Sequence, residues 1–210
     1  VFIGNPLAIE NKKRFMDTDL NRAFPGKEDG NYEEKRAVFL LDKIKDFKCV
    51  IDIHSSSGNM ELFGIITKPN DEKMELAKKL GLKKLVIMPS SFASGGALID
   101  HVGCGMSLEI GPHEKKENVD EVIKAINNSS NGFKSDVKTE IYEVFDMIKG
   151  EENVEMFIKN FEFVKKGDLS ARGEKEYYAE FDFYPIFVGE KAYKGILCLA
   201  TKIINLSDLQ

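Results

Sequence analysis

The segment from Arg14 to Arg22 gathers side chains that can do chemistry. It holds two arginines, two aspartates and an asparagine among few apolar residues. The Asn21-Arg22 pair suits a carboxylate ligand, because the guanidinium offers a planar fork for two hydrogen bonds and the amide adds a directed donor. A solvated charged loop explains the same residues, so the segment alone gives a candidate binding site with that alternative open.

Two further polar side chains lie in, or directly after, apolar runs typical of buried strands. His54 follows Cys49–Ile53, and Asp52 shares its strand face. Glu109 lies within Met106–Ile110, where a carboxylate costs several kcal/mol unless it is paired or functional. Desolvation raises the pKa of such a carboxyl toward the range that a general base needs. A structural histidine and a buried ion pair are the alternatives for these two residues.

These residues are predicted to lie on an α/β framework. Up to residue 135, helical and strand patterns alternate, which indicates a mostly parallel sheet whose ligands bind at the carboxyl ends of strands. Asn31 and Glu34 form the sequence pattern of a capping box at the start of a helix. The other predicted elements of this part are strands at Val1–Ile3, Cys49–Ile53, Leu85–Met88 and Met106–Ile110, and helices starting near Asn70 and spanning Val119–Ile126.

From residue 136 the sequence changes character. Aromatic and β-branched residues alternate in part, and breaks that contain glycine separate the runs. The predicted β runs are Ile141–Phe145, Phe157–Phe163, Tyr177–Phe187 and Ile196–Ile204. We therefore expect an α/β domain over residues 1–135 and a smaller β-rich domain over residues 136–210.

Composition limits the classes of protein that fit this chain. Apolar residues make up 42% and charged residues 31% of 210 residues, which is typical of a soluble globular protein. The net charge is −5 and no cluster of lysines and arginines is interleaved with aromatics, so nucleic acid is not an expected partner. No apolar run has the length of a membrane span. Three cysteines without a C-x-x-C pair predict reduced, buried thiols in a cytoplasmic protein.

Several short motifs occur in order along the chain. They are Gly4-Asn5-Pro6, the Arg14–Arg22 run ending in Asp19-Leu20-Asn21-Arg22, Asp52-Ile53-His54, Leu108-Glu109-Ile110-Gly111-Pro112, and Tyr184-Pro185-Ile186-Phe187-Val188 with Tyr193 behind it. Together they resemble the aspartoacylase/succinylglutamate desuccinylase family of zinc-dependent amidohydrolases. The resemblance spans nearly the whole chain, and the Asp-Leu-Asn-Arg motif at its distance from Asp-x-His is the most specific part.

The resemblance implies a carboxypeptidase-like mixed α/β sheet with flanking helices, followed by a smaller C-terminal β domain. It also implies a hydrolase that cleaves the amide bond of a small, carboxylate-bearing N-acyl amino acid, with water activated by one zinc ion. A homo-oligomer is left open. The resemblance implies that Glu109 is the general base and that Arg14 polarises the scissile carbonyl. It assigns substrate binding to Asn21, Arg22 and Tyr193, and it makes His54 a zinc ligand.

Two features depart from the family pattern. The family also holds its zinc with a His-x-x-Glu motif, and neither His54, His101 nor His113 begins one. The motif is expected upstream of Gly4-Asn5-Pro6, so the zinc site is incomplete within residues 1–210. Ile99 falls near the place of an arginine in aspartoacylases, so the resemblance does not extend to recognition of an aspartate side chain. A metal-free carboxylate-binding relative, or an inactive fragment, is the alternative to the enzyme.

Overall fold

The computed structural model describes residues 1–58, 60–93, 95–112, 116–130 and 136–209. The α-helices are α1 (Pro6–Glu10), α2 (Tyr32–Ile44), α3 (Asp71–Leu80) and α4 (Lys116–Ser130). Short 3-10 helices span Leu20–Arg22, Ser90–Ala93, Leu98–Asp100 and Leu206–Leu209. Helix α2 begins with the predicted capping box, since Asn31 and Glu34 each accept a hydrogen bond from the other's backbone N–H.

The strands form one large sheet and one small sheet. They are β1 (Val50–Ser56), β2 (Phe63–Ile66), β3 (Lys84–Ile87), β4 (Gly105–Pro112), β5 (Glu140–Lys149), β6 (Glu155–Met156), β7 (Leu169–Arg172), β8 (Glu176–Tyr178), β9 (Tyr184–Ile186) and β10 (Ile196–Ile204). The seven-stranded sheet has the order β1-β4-β2-β3-β5-β10-β9, and the three-stranded sheet has the order β6-β7-β8.

The large sheet is mixed in strand direction. Strand β3 pairs with β5 in parallel, with Leu85 opposite Ile141. Strand β10 pairs antiparallel with both β5 and β9, so that Leu199 lies opposite Met147 on one side and Ile186 on the other. The predicted α/β class with a mixed sheet is therefore confirmed.

The described residues form two compact units. Unit 1 comprises Val1–Asp52, Ile66–Lys73 and Met88–Ser107, and unit 2 comprises Ile53–Ile65, Met74–Ile87 and Leu108–Gln210. In unit 1, the α2 residues Ala37 and Leu40 bury their side chains against Phe24. In unit 2, a core cluster contains Ile158, Val164, Ala179, Phe183, Cys198 and Ala200. Full burial of a large apolar side chain stabilises the folded state by about 1.5–3 kcal/mol.

Several predicted elements need correction. Val1–Ile3 is not a strand in this structure, and its side chains are exposed. Phe157–Phe163 is not a strand, because β6 ends at Met156 and β7 begins only at Leu169. The strand through His54 does not stop there but continues to Ser56. Strand β2 was not predicted, because four residues that include a glycine give too short an apolar run.

The division of the chain at residue 135 stays a prediction. Residues 131–135 lie outside the described part of the chain. Beyond them, β5, β10 and β9 hydrogen-bond into the same sheet as β3, whereas β6, β7 and β8 form the separate small sheet. The aromatic second half thus contributes strands to both sheets.

The cysteines are free thiols, as predicted. Cys104 and Cys198 are buried, and burial raises the pKa of the Cys198 thiol to about 12. Cys49 lies just before β1 and is only half-buried, so its predicted burial is wrong. Among the described helices, none combines the length and the apolar character needed to cross a membrane. The cytoplasmic location stays a prediction.

Candidate active site

The arginine loop, residues 14–19, is closed by an ion pair in unit 1. Arg14 donates from Nε (3.1 Å) and Nη2 (2.8 Å) to Oδ2 of Asp19. The side chains are 56% and 25% exposed, so the pair contributes at most about 1 kcal/mol to stability. Its effect is geometric, because it holds the guanidinium of Arg14 at the end of the loop where Asp19 begins the next element.

Asp19 also starts the 3-10 helix that carries the predicted carboxylate-binding pair. Its Oδ1 accepts a hydrogen bond from the backbone N–H of Asn21 (3.0 Å), in the manner of a helix N-cap. The exposed Arg22 donates from Nη1 to the backbone oxygen of Asn21 (2.7 Å). One carboxylate therefore orients both Arg14 and the helix that ends at Arg22.

The side chain of Asn21 has a defined orientation. Its Oδ1 accepts from the backbone N–H of Leu98 (3.2 Å). Since a backbone nitrogen can only donate, the oxygen must face Leu98, and Nδ2 is the end that can donate to a ligand. The contacting loop is tightly apposed, because a Cβ at Gly96 would lie 2.5 Å from the backbone oxygen of Arg22.

Glu33 holds the middle of the arginine loop and was missed by sequence reasoning. Its side chain is fully buried in the first turn of α2. Asn5 Nδ2 (3.0 Å) and the backbone N–H of Met16 (2.6 Å) donate to Oε1, and the backbone N–H groups of Asp17 (3.0 Å) and Thr18 (3.2 Å) donate to Oε2. Burial raises the pKa of Glu33, but these hydrogen bonds outweigh it and lower the pKa overall.

In unit 2, His54 and Glu109 lie on neighbouring strands of the large sheet. The backbone N–H of Val50 donates to the oxygen of Cys104 (2.8 Å), so β1 and β4 start side by side. His54 is the fifth residue of β1 and Glu109 the fifth residue of β4, and the two strands are adjacent in the sheet. His54 is half-buried, whereas Glu109 is only 7% exposed, as predicted for a carboxylate in an apolar strand.

Tyr193 lies in the loop between β9 and β10, and this loop is tied to the end of β1. The buried carboxylate of Glu190 accepts from the backbone N–H (2.9 Å) and the hydroxyl (2.8 Å) of Ser57. Ser57 Oγ accepts in turn from the backbone N–H of Lys191 (3.0 Å). The half-buried Tyr193 ring packs edge-on against Phe187, with 5.4 Å between centroids. The Tyr193 loop is therefore anchored at Ser57, the residue directly after β1.

The comparisons with known proteins identify the family. The sequence profile described as "Succinylglutamate desuccinylase/Aspartoacylase catalytic domain" matches residues 1–123. The chain belongs to this family. It is 29% identical to a protein named "Probable aspartoacylase" from Prochlorococcus marinus strain MIT 9515, over 97% of this chain and 83% of that protein. It is 28% identical to the "N-acyl-aromatic-L-amino acid amidohydrolase (carboxylate-forming)" of Xenopus tropicalis, over 96% of this chain and 80% of that protein.

Solved structures of family members confirm the carboxypeptidase-like fold. Murine aminoacylase 3 superposes with a TM-score of 0.80 at 18% identity, covering 96% of this chain and 82% of that one. A succinylglutamate desuccinylase/aspartoacylase from Rhodobacter sphaeroides superposes with a TM-score of 0.76 at 17% identity, covering 94% and 72%. At these identities the likeness shows the fold alone.

The family resemblance implies a zinc ion, but the described residues do not provide a full set of ligands for it. No group of three or more His, Cys, Asp or Glu side chains in this part of the chain is arranged to hold a metal ion. His101 is exposed, and its Nε2 lies 2.8 Å from the backbone oxygen of Gly95. His113 lies outside the described residues. His54 thus remains the one predicted ligand, and zinc stays a prediction.

Each unit carries one part of the predicted constellation. Unit 1 contains Arg14, Asn21 and Arg22, brought together by Asp19 and the arginine loop. Unit 2 contains His54, Glu109 and Tyr193, which lie on adjacent strands or on a loop anchored beside one of them.

Proposed function

We propose that this chain hydrolyses the amide bond of N-acyl amino acids to release a carboxylic acid and a free amino acid. Relatives named as aspartoacylase and as N-acyl-aromatic-L-amino acid amidohydrolase support this reaction type. The structural observation that supports it most directly is the buried carboxylate of Glu109, on the strand next to the one that carries His54. A protein that only binds a carboxylate has no need of a buried acidic group on such a strand.

The proposed chemistry assigns each step to a side chain of this protein. Glu109 takes a proton from the attacking water, the water oxygen bonds to the acyl carbon, and the same proton passes to the leaving nitrogen as the amide bond breaks. Arg14 stabilises the negative charge that develops on the carbonyl oxygen. Asn21 and Arg22 bind the carboxylate of the amino acid, with Nδ2 of Asn21 and the guanidinium fork as donors. Tyr193 contacts the bound substrate.

Zinc forms part of this proposal only as an expectation from the family. A catalytic zinc usually has three protein ligands, and His54 is the one described residue with that predicted role. The proposed proton transfers and charge contacts are those of the chain's own residues.

An assay of amino acid release tests the proposal. The purified full-length protein is incubated with N-acetyl-L-aspartate, N-acetyl-L-phenylalanine and N-succinyl-L-glutamate, and each free amino acid is quantified. Hydrolysis of at least one of them, lost on chelation and restored by zinc, is the expected result. Binding of these compounds without hydrolysis would instead favour the carboxylate-binding alternative.

A further inference from the structure

The arginine loop is built around a single carboxylate that sequence reasoning gave no role. Glu33 lies on α2, outside the loop, and its carboxylate accepts hydrogen bonds from the backbone N–H groups of three consecutive loop residues, 16 to 18. Arg14 lies just before these residues and Asp19 just after them, and the two are paired at 2.8 Å. The loop is thus closed at its ends by the ion pair and held at its centre by Glu33.

Both oxygens of Glu33 are fully used as acceptors. Oε1 takes the donors of Asn5 and Met16, and Oε2 takes those of Asp17 and Thr18. Hydrogen bonds to an ionised acceptor are about twice as strong as neutral ones. A glutamine at position 33 would turn an NH2 group toward one of the two donor pairs, so it cannot satisfy both, whichever way its amide is oriented.

We propose that Glu33 is a positioning residue for substrate recognition, acting through the arginine loop on Arg14, Asn21 and Arg22. The chain of contacts is continuous. Glu33 fixes the loop amides, the loop presents Asp19, and Asp19 binds Arg14 and caps the helix that carries Asn21 and Arg22. This inference rests on the proposed function, because it assigns Glu33 to the carboxylate-binding part of that site.

The neighbouring residue provides a matched control. Glu34 also lies in the first turn of α2, where it accepts from the backbone N–H of Asn31 (2.9 Å) in the capping box and pairs with Lys27. Glutamine serves the capping box as well as glutamate does. Glu33→Gln and Glu34→Gln therefore make the same chemical change one residue apart, and only the first disturbs the arginine loop.

Two measurements on the full-length protein separate positioning from general stability. The first is native-state hydrogen exchange over residues 15–22, which reports the loop whether or not the protein is active. The second is kcat/KM for N-acetyl-L-phenylalanine and for its neutral C-terminal amide, or the calorimetric affinity for both compounds if the wild type hydrolyses neither. We expect faster exchange in Glu33→Gln and a loss of about 10- to 100-fold for the carboxylate compound, with a smaller loss for the amide. Glu34→Gln should match the wild type in both measurements.

Three outcomes would overturn the assignment of Glu33. Unchanged exchange over residues 15–22 in Glu33→Gln would show that the loop does not depend on it. Faster exchange with unchanged kinetics and affinity would make it structural only, as would equal losses for the acid and the amide. An inactive wild type would instead contradict the proposed function, while the exchange and affinity data would still decide the role of Glu33.

A second variant serves if Glu33→Gln does not fold. Glu33→Asp keeps the charge and both acceptor oxygens but shortens the side chain by one methylene, so it reaches the loop amides less well. We expect faster exchange over residues 15–22. For the carboxylate compound, kcat/KM or affinity should fall by up to about tenfold. Wild-type values in both measurements would overturn the proposal.

Discussion

At the scale of single residues, Glu109 is the proposed general base. Glu109→Gln keeps the shape of the buried side chain but removes its ability to take a proton. Because general-base catalysis contributes about 10²- to 10⁴-fold, kcat should fall by that factor while the thermal unfolding curve changes little. Steady-state kinetics and circular dichroism check this, with the exposed Glu162→Gln as a control. Near-normal turnover would mean that Glu109 belongs to a buried ion pair.

Arg22 carries the second prediction at this scale. Arg22→Lys keeps the positive charge but loses the planar fork. A hydrogen bond to a charged group contributes about 1.5–3 kcal/mol, so KM for a carboxylate-bearing substrate should rise at least about tenfold. The neutral C-terminal amide should respond less. Arg172→Lys, which alters a surface pair with Glu176 in unit 2, is the control. Equal losses for both substrates would assign Arg22 to support of the loop.

At the scale of elements, the anchor between Ser57 and Glu190 carries a third prediction. Ser57→Ala removes the hydroxyl that donates to Glu190 and accepts from the backbone of Lys191, so a buried carboxylate loses a donor. We expect a loss of about 1–3 kcal/mol in unfolding free energy and faster hydrogen exchange over residues 188–195. Lys191→Ala is the matched control, since only its backbone makes the contact. Equal exchange in both variants would contradict the anchor.

The same scale shows what sequence reasoning can and cannot reach. The capping box of α2 is encoded by neighbouring residues and was confirmed, and the predicted strand Leu85–Met88 corresponds, shifted by one residue, to β3 at Lys84–Ile87. Ser57 and Glu190 are 133 positions apart, and Glu33 meets its loop partners 15 to 17 positions away. Their roles depend on the folded chain, so no local pattern reveals them. Asn21, Arg22, His54 and Glu109 were singled out by residue type and by their place in or beside apolar runs, whereas the roles of Arg14 and Tyr193 came from motif resemblance alone.

At the scale of the whole molecule, we expect the folded state to lose stability in acid, because several of its carboxylates accept hydrogen bonds or form ion pairs. Among the described residues, the carboxyl groups whose pKa is lowered are Glu33, Glu34, Asp42, Glu151 and Glu176. A carboxyl whose pKa is lower in the folded state stabilises the fold above its unfolded pKa, and this contribution disappears as pH falls through the folded pKa. The free energy of unfolding should therefore decline below pH about 4.5, the ordinary pKa of a glutamate.

Urea unfolding at a series of pH values checks the prediction. Glu33→Gln should show a shallower decline than the wild type, because it removes the buried member of the set and the one with the most backbone donors. The four other carboxyls remain in that variant and keep part of the slope. Identical slopes in the two proteins would show that Glu33 does not contribute to the acid sensitivity.

The way in which Glu33 holds the arginine loop has a consequence for sequence variation. The contacts at Met16 and Thr18 are made by main-chain N–H groups, which nearly every amino acid possesses. Relatives that share this loop can therefore differ freely in the side chains at these two positions while the geometry at Arg14 is preserved. Proline is the exception, because it has no N–H to donate. The shape of the arginine loop therefore depends on Glu33 and not on the side chains at positions 16 and 18.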